Sequence, residues 1–309
     1  MCEYRSFGKM GAAKRRRIFW KDHPMDRRTF SASLALAGLA VVDDTAAAPL
    51  APAAFSAADE FRIWSRLSAD LSGRTCYAFT TGTVWGFKPQ ADDLSLADFA
   101  RRLYGFANCI ARKARLEKDG TVRIKTQSWN FYLDPETNRF TTELYNSYTD
   151  RKVTSAPMLG GAQERTYSVE GPRSSGAAAA YPVENEQGKR PYELRVRVVG
   201  DNAFVTETAF NRLKPGDIAW WKLEGSMTSH ACRAADLRNR DLTYIPNTWS
   251  MNLVAEWQTW MEMHGTPGHI LFKGDGAHLW SEDQIPDEIR ADIEAVTPGA
   301  LAEVNRWTA

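Results

Sequence analysis

The sequence predicts a mainly β fold: an antiparallel meander curling into a barrel-like sheet, with a few peripheral helices. Three observations carry that reading. From residue 75 onward the apolar residues recur at every second position, as in TCYAFTTGTVWGF, TVRIKTQSWNFYLD and YELRVRVVGDNAFVTETAF. Tight-turn signals separate these runs, namely Lys118-Asp119-Gly120, LDPETNRF at 133–140, NSYTDRK at 146–152 and Gly200-Asp201-Asn202. No crossover helix fits between them, which argues against a parallel sheet and for hairpin connections that close on themselves.

The chain begins with a segment that does not belong to this fold. MDRRTFSASLALAGLAVV, from Met25, sets Arg27 and Arg28 before an uncharged run and a small-residue stretch, Ala46 to Ala54. That is the order of a secretory leader, and RRTF resembles a twin-arginine export signal, so the export machinery is an expected partner and the periplasm the expected location. Its apolar run of about 14 residues is short of the ~20 that a spanning helix needs, so no stable membrane anchor is expected. Residues 1–57 are therefore read as basic extension plus cleavable leader, and 58–309 as one β-rich domain. Residues 1–28 hold nine Lys/Arg and three Asp/Glu, leaving 30 basic and 35 acidic residues, net −5. A mildly acidic body has no electrostatic footprint for a phosphate backbone, so nucleic acid is not an expected partner.

Helices are expected at 58–72, where Ser56 caps and Phe61, Trp64, Leu67 and Leu71 recur at helical spacing before Gly73, at 94–103 (SLADFARRLY), and as a terminal pair in IPDEIRADIEAV and PGALAEVNRW. Residues 172–191 break every periodicity and read as a mobile loop, an insertion or a lid. Beyond the leader Cys76, Cys109 and Cys232 remain, an odd number with no CxxC, so at most one disulfide is expected and no zinc ribbon.

Nucleotide-binding glycine motifs, a GxSxG elbow and HExxH are all missing from the sequence, and the chemistry is read as needing no organic cofactor and no metal. His264, His269 and His278, or His230, with Glu262 or Asp275 match no compact ligand spacing. The segment NTWSMNLVAEWQTWMEMHGTPGH (247–269) is the most suggestive. Trp and Met at regular spacing pack interiors more often than they bind ligands. Here, however, the run ends in His264 and His269 on a stiff Gly/Pro turn, and imidazoles beside an aromatic wall suit proton transfer near neutral pH. The candidate catalytic residues are His269, His264, Tyr132 and Asn146, the last two orienting oxygen atoms. Trp85, Trp220, Trp257 and Trp260 are the candidates for stacking an aromatic ligand.

The segments GTVWGF (82–87), YLDPET (132–137), LYNSYTD (144–150), WMEM (260–263) and PGH (267–269) together resemble a largely bacterial family catalogued as domain of unknown function 1838. The likeness spans roughly residues 60–300. Members usually carry Pro and Gly where this chain has Ser147 and Asp150. The resemblance implies one β-rich domain, commonly behind an export leader, and transfers no catalytic residue. Three functional expectations follow. The leading one is a cofactor-independent, lyase-type enzyme that acts on a bulky phenolic, lignin-dimer-like molecule by elimination or carbon–carbon cleavage. The alternatives are an exported carrier for an aromatic or hydrophobic ligand, and a metal-dependent hydrolase or lyase.

Overall fold

The computed structural model describes residues 55–89, 100–173, 193–212 and 223–307, all within the unit Pro49–Ala309. The leader, Trp220 and most of the loop expected at 172–191 lie outside the described residues. Helix α1 (Ala57–Ser68) starts where Ser56 accepts from the Asp59 N–H, with Asp59 and Glu60 in its first turn. Strands β1 (Ser72–Phe87), β2 (Ala100–Leu116) and β3 (Val122–Leu133) follow as a meander. A small hairpin of β4 (Glu143–Asn146) and β5 (Arg151–Thr154) interrupts it before β6 (Met158–Ser168) and β7 (Gly171–Arg173). The second arm comprises β8 (Glu193–Val199), β9 (Asn202–Arg212), β10 (Leu223–Arg233), β11 (Asn247–Ala255) and β12 (His269–Leu279), with the short helix α2 (Ala234–Arg238) after β10. Helices α3 (Asp287–Val296) and α4 (Ala300–Asn305) close the chain.

Ten strands form one antiparallel sheet in the order β7-β6-β3-β2-β1-β12-β11-β10-β9-β8. The first and last long strands meet at its centre, Val84 opposite Phe272 and Tyr77 opposite Leu279. The expected barrel is not formed: among the described residues β7 pairs only with β6 and β8 only with β9, so the sheet has two edges. Helix α1 supplies the reason. Its Trp64 packs on Tyr167 of β6, centroids 5.2 Å apart, and donates its indole N–H to Glu207 of β9 at 3.1 Å. The helix thus bridges the two arms through side chains and does the work that strand pairing does in a closed barrel.

Nor is α1 peripheral. Its Ile63 and Leu67 are each 1 % exposed and join Cys76, Val122, Ile124, Val196 and Val205 in one core. Two helix boundaries also differ from expectation. Helix α1 stops at Ser68 because the chain must turn into β1, with Asp70 accepting from the Ser72 N–H, and residues 100–103, expected helical, open β2. There the alternate burial of a pleated strand wins over helical spacing.

The register sorts side chains onto two faces. The inner face carries α1 at one end and, at the other, a second apolar cluster of Val84, Tyr104, Phe106, Tyr132, Ile270 and Phe272. The outer face is covered over β1–β3 by α3 and α4, which pack on Tyr77, Cys109, Trp129 and Phe131. Cys76, Cys109 and Cys232 are buried and free, their thiols pushed up by burial.

The turns follow their sequence signals closely. Asp134 accepts from the backbone N–H groups of Glu136 and Thr137, and Gly120 and Gly200 take positive φ in their hairpins. Asp150 sits at φ 56°, a left-handed conformation that Asp tolerates better than most side chains.

Candidate functional site

Tyr104 and Tyr132 come from the adjacent strands β2 and β3 and face inward, their rings edge to face at 6.2 Å. The third member, Trp260, arrives from the chain between β11 and β12. After Ala255 the strand rhythm stops, and a single 3-10 turn, Thr259–Met261, holds Trp260 against Tyr132 at 4.9 Å and Tyr104 at 5.4 Å. That loop is stiffened by its own residues. Glu262, Gly265 and Gly268 take positive φ, Trp257 donates to the Thr266 carbonyl at 3.1 Å, and Gly86 and Gly268 leave room for the Trp257 ring. At Gly268 a Cβ would come within 2.6 Å of that indole.

The polar atoms of this cluster are poorly served. The Tyr104 residue is 0 % exposed and its hydroxyl has no hydrogen-bond partner among the described residues. The Tyr132 hydroxyl, equally buried, points at the soft Met158 sulfur at 4.0 Å and interacts with the Trp260 side chain. Burial holds both phenols above the ordinary tyrosine range, so at neutral pH both are O–H donors. Gln258, 2 % exposed at the start of the 3-10 turn, likewise leaves its Nε2 without a partner. Trp260 is half-buried and is the member of the trio that reaches solvent.

The structure thus brings two of the sequence-selected residues, Tyr132 and Trp260, together. Asn146 is fully buried nearby, but its amide donates to the Met261 carbonyl at 2.7 Å and accepts from the Tyr148 N–H at 3.0 Å, fixing the 3-10 turn to the β4–β5 hairpin. Trp257 packs edge-on against Tyr148 at 5.4 Å. Trp85 is half-buried and projects from β1 to the outer face, opposite in parity to Val84. His264 and His269 are both exposed. His269 stacks on Phe87, with planes 11° apart and centroids 5.2 Å apart, and neither imidazole contacts Tyr132 or Asn146.

The opposite end of the same inner face holds two imidazoles that the sequence reading weighed only as metal ligands. His278 Nε2 lies 3.0 Å from the Ser68 carbonyl, which only accepts, so Nε2 carries the proton and Nδ1 receives the Tyr244 O–H at 3.1 Å. Burial first, and the Arg112 charge second, hold His278 neutral by lowering its pKa to about 3, while burial pushes Tyr244 up to about 12. His230 Nδ1 donates to Asn247 Oδ1 at 2.9 Å, an orientation set because the Asn247 amide donates to the Ile245 and Leu67 carbonyls. Its Nε2 lies 3.8 Å from Glu207. Trp249 stands between the two imidazoles, 6.1 Å from His230 and 4.9 Å from His278, and donates to Thr80 Oγ1 at 3.0 Å. It lies over Gly276, where any side chain would overlap the indole. Parity was the signal available here: in HILFKGDGAHL, His278 shares a face with Ile270 and Phe272.

The two ends are joined by a polar band, with Thr80, Asn108, Ser128 and Asn130 facing inward and Asn108 bonded to Asn130. Trp249 and Met251, consecutive inward positions on β11, lead from the imidazoles toward the phenols. Among the described residues no three His, Cys, Asp or Glu side chains cluster as metal ligands would, and no helix is long and apolar enough to cross a membrane. A search of curated proteins and a search of solved structures each found no match. A family model described as protein of unknown function (DUF1838) matches residues 74–303. That stretch runs from the first residues of β1 to the last helix and includes both ends of the inner face, and so the chain belongs to the DUF1838 family.

Proposed function

We propose that the inner face binds an aromatic small molecule bearing a hydroxyl or ether oxygen, with its ring against Trp260 and its oxygen accepting from Tyr104 and Tyr132. One observation carries this reading: the buried Tyr104 hydroxyl has no partner among the described residues. Leaving such a group unpaired costs about 1–3 kcal/mol, a cost that a ligand oxygen would remove on binding. The surrounding Phe106, Phe272 and Met158 favour a flat apolar body. Titration of the protein with 4-methoxyphenol, followed by tryptophan fluorescence, tests it. Tyr104→Phe and Tyr132→Phe should each weaken binding about tenfold, the worth of one buried hydrogen bond. Unchanged affinity in both variants would remove the phenols from the site.

A second reading has its own support. The lyase-type enzyme, working by acid–base chemistry without an organic cofactor, gains a better-placed base than the exposed His264 and His269. His230 is buried, oriented by Asn247 and faces Glu207 on the same inner face as the phenols. In that case His230→Gln abolishes turnover of a phenolic dimer while leaving its binding intact. Turnover that survives His230→Gln removes this imidazole as the base, and the absence of any turnover of the bound phenol by the unaltered protein favours the carrier reading.

A further inference from the structure

Away from the inner-face aromatics, a cavity of about 160 Å³ lies between α1 and the segment that follows β10. Its walls carry four guanidinium groups, Arg62, Arg66, Arg238 and Arg240, against a single carboxylate, Asp59, with Phe55 as an apolar side. Asp59 is taken by Arg240 at 3.3 Å, and its carboxyl is held below the usual range, first by the Ser56 hydroxyl. Arg62 and Arg238 are exposed, and among the described residues no carboxylate lies within ion-pair distance of either.

Arg66 is the unusual member. It is 2 % exposed, yet every partner it has is a backbone carbonyl: Arg62 at 3.2 Å, Leu237 at 3.1 Å, Leu242 at 3.4 Å, and Asn239. These bonds occupy four of its five N–H groups and aim the planar fork, but none of them cancels its charge. A buried cation is normally matched by an anion, because removing charge from water is costly unless an opposite charge stands close. In a body with five more acidic than basic residues beyond position 28, four arginines around one hollow that share a single carboxylate, Asp59, are not a general surface property.

We propose that this cavity is a binding site for a small oxyanion, a phosphate group, held by the forks of Arg62 and Arg238, with Arg66 adding its charge and its one remaining N–H. Guanidinium forks suit the paired oxygens of phosphate, and a volume near 160 Å³ holds such a group with room for water. Two sources share this chemistry: free inorganic phosphate, and a phosphate ester whose organic part rests on Phe55. The bound anion would tie α1 to the 237–242 segment, the helix that already links the two arms of the sheet.

Calorimetric titration of the whole chain with inorganic phosphate, at an ionic strength fixed with chloride, tests the site. One saturable site is expected, weakened about tenfold or more by Arg62→Gln with Arg238→Gln. Both residues are exposed, so the double variant folds, and its far-UV spectrum and Tm without phosphate serve as the check. Phenyl phosphate binding more tightly than inorganic phosphate assigns an ester, and equal affinity assigns the free anion. No saturable binding below about 10 mM, or binding that the double variant leaves unchanged, overturns the proposal. The phenol-binding titration does not involve these arginines, so either proposal can fail without the other.

Discussion

The two ends of the inner face are built from similar side chains and treat their polar atoms in opposite ways. At the α1 end both His278 nitrogens, the Asn247 amide and the Trp249 indole N–H are all paired, several of them to carbonyls near the end of α1. At the other end the Tyr104 hydroxyl and the Gln258 amide nitrogen are buried without partners. A satisfied buried network specifies one packing and rigidifies it, whereas an unsatisfied one lowers stability and needs another reason to exist. The first end therefore reads as the clamp that seats α1, and the second is where the proposed ligand would complete the hydrogen bonding.

Three experiments would break or sharpen that contrast. The largest effect is expected from Trp249→Ala. It deletes a ring 9 % exposed, leaves Thr80 without its donor and opens a hollow over Gly276, so the protein should lose about 3–5 kcal/mol by chemical denaturation. A loss below about 1 kcal/mol would mean that the clamp does not hold the fold.

The second effect depends on pH. In the unfolded chain His278 takes up a proton near its ordinary value of 6.5, and in the fold only near 3. Between these values the unfolded state binds more protons, so stability falls as pH drops from about 6.5 toward 3 and is fully present above 6.5. His278 contributes at most about 1.4 kcal/mol per pH unit to that slope. His278→Gln should flatten the curve in this window, and an unchanged curve would show that the imidazole is not held neutral by burial.

The smallest effect is the most discriminating. Tyr104→Phe removes a hydroxyl that bonds to nothing among the described residues, so ligand-free stability should not fall and should rise by about 1 kcal/mol, the lower end of the cost of an unpaired buried hydroxyl. Tyr244→Phe removes the donor to His278 and should cost about 1 kcal/mol. Equal losses for the two variants would erase the distinction between clamp and site.

Much of the local architecture was legible in the sequence because it depends on neighbouring residues alone. Alternation marked the long strands, and Lys118-Asp119-Gly120, Asp134 and Gly200 marked the reversals that the structure shows. The terminal helix pair was equally plain, its Asp287 and Glu288 in the first turn and Gly299 before the last helix. At 94–103 helical spacing misled, since residues 100–103 open β2 while 94–99 lie outside the described residues, and at 253–263 two periods overlapped, because a short apolar run fits either element. Tyr132 and Trp260 stand out by their chemistry, but their partner Tyr104 closes SLADFARRLY, a run with helical spacing, so nothing local placed it beside Tyr132.

By itself, then, the sequence determined the antiparallel strands, their turns and the wealth of aromatic side chains, all properties set within a few residues of chain. Tertiary structure alone decided that the sheet stays open around α1, that Tyr104 meets Tyr132 and Trp260, and that His264 and His269 stay in solvent while His230 and His278 are buried. Those outcomes depend on register between strands and on which polar atoms find partners, and both are settled only when segments more than a hundred residues apart are packed together.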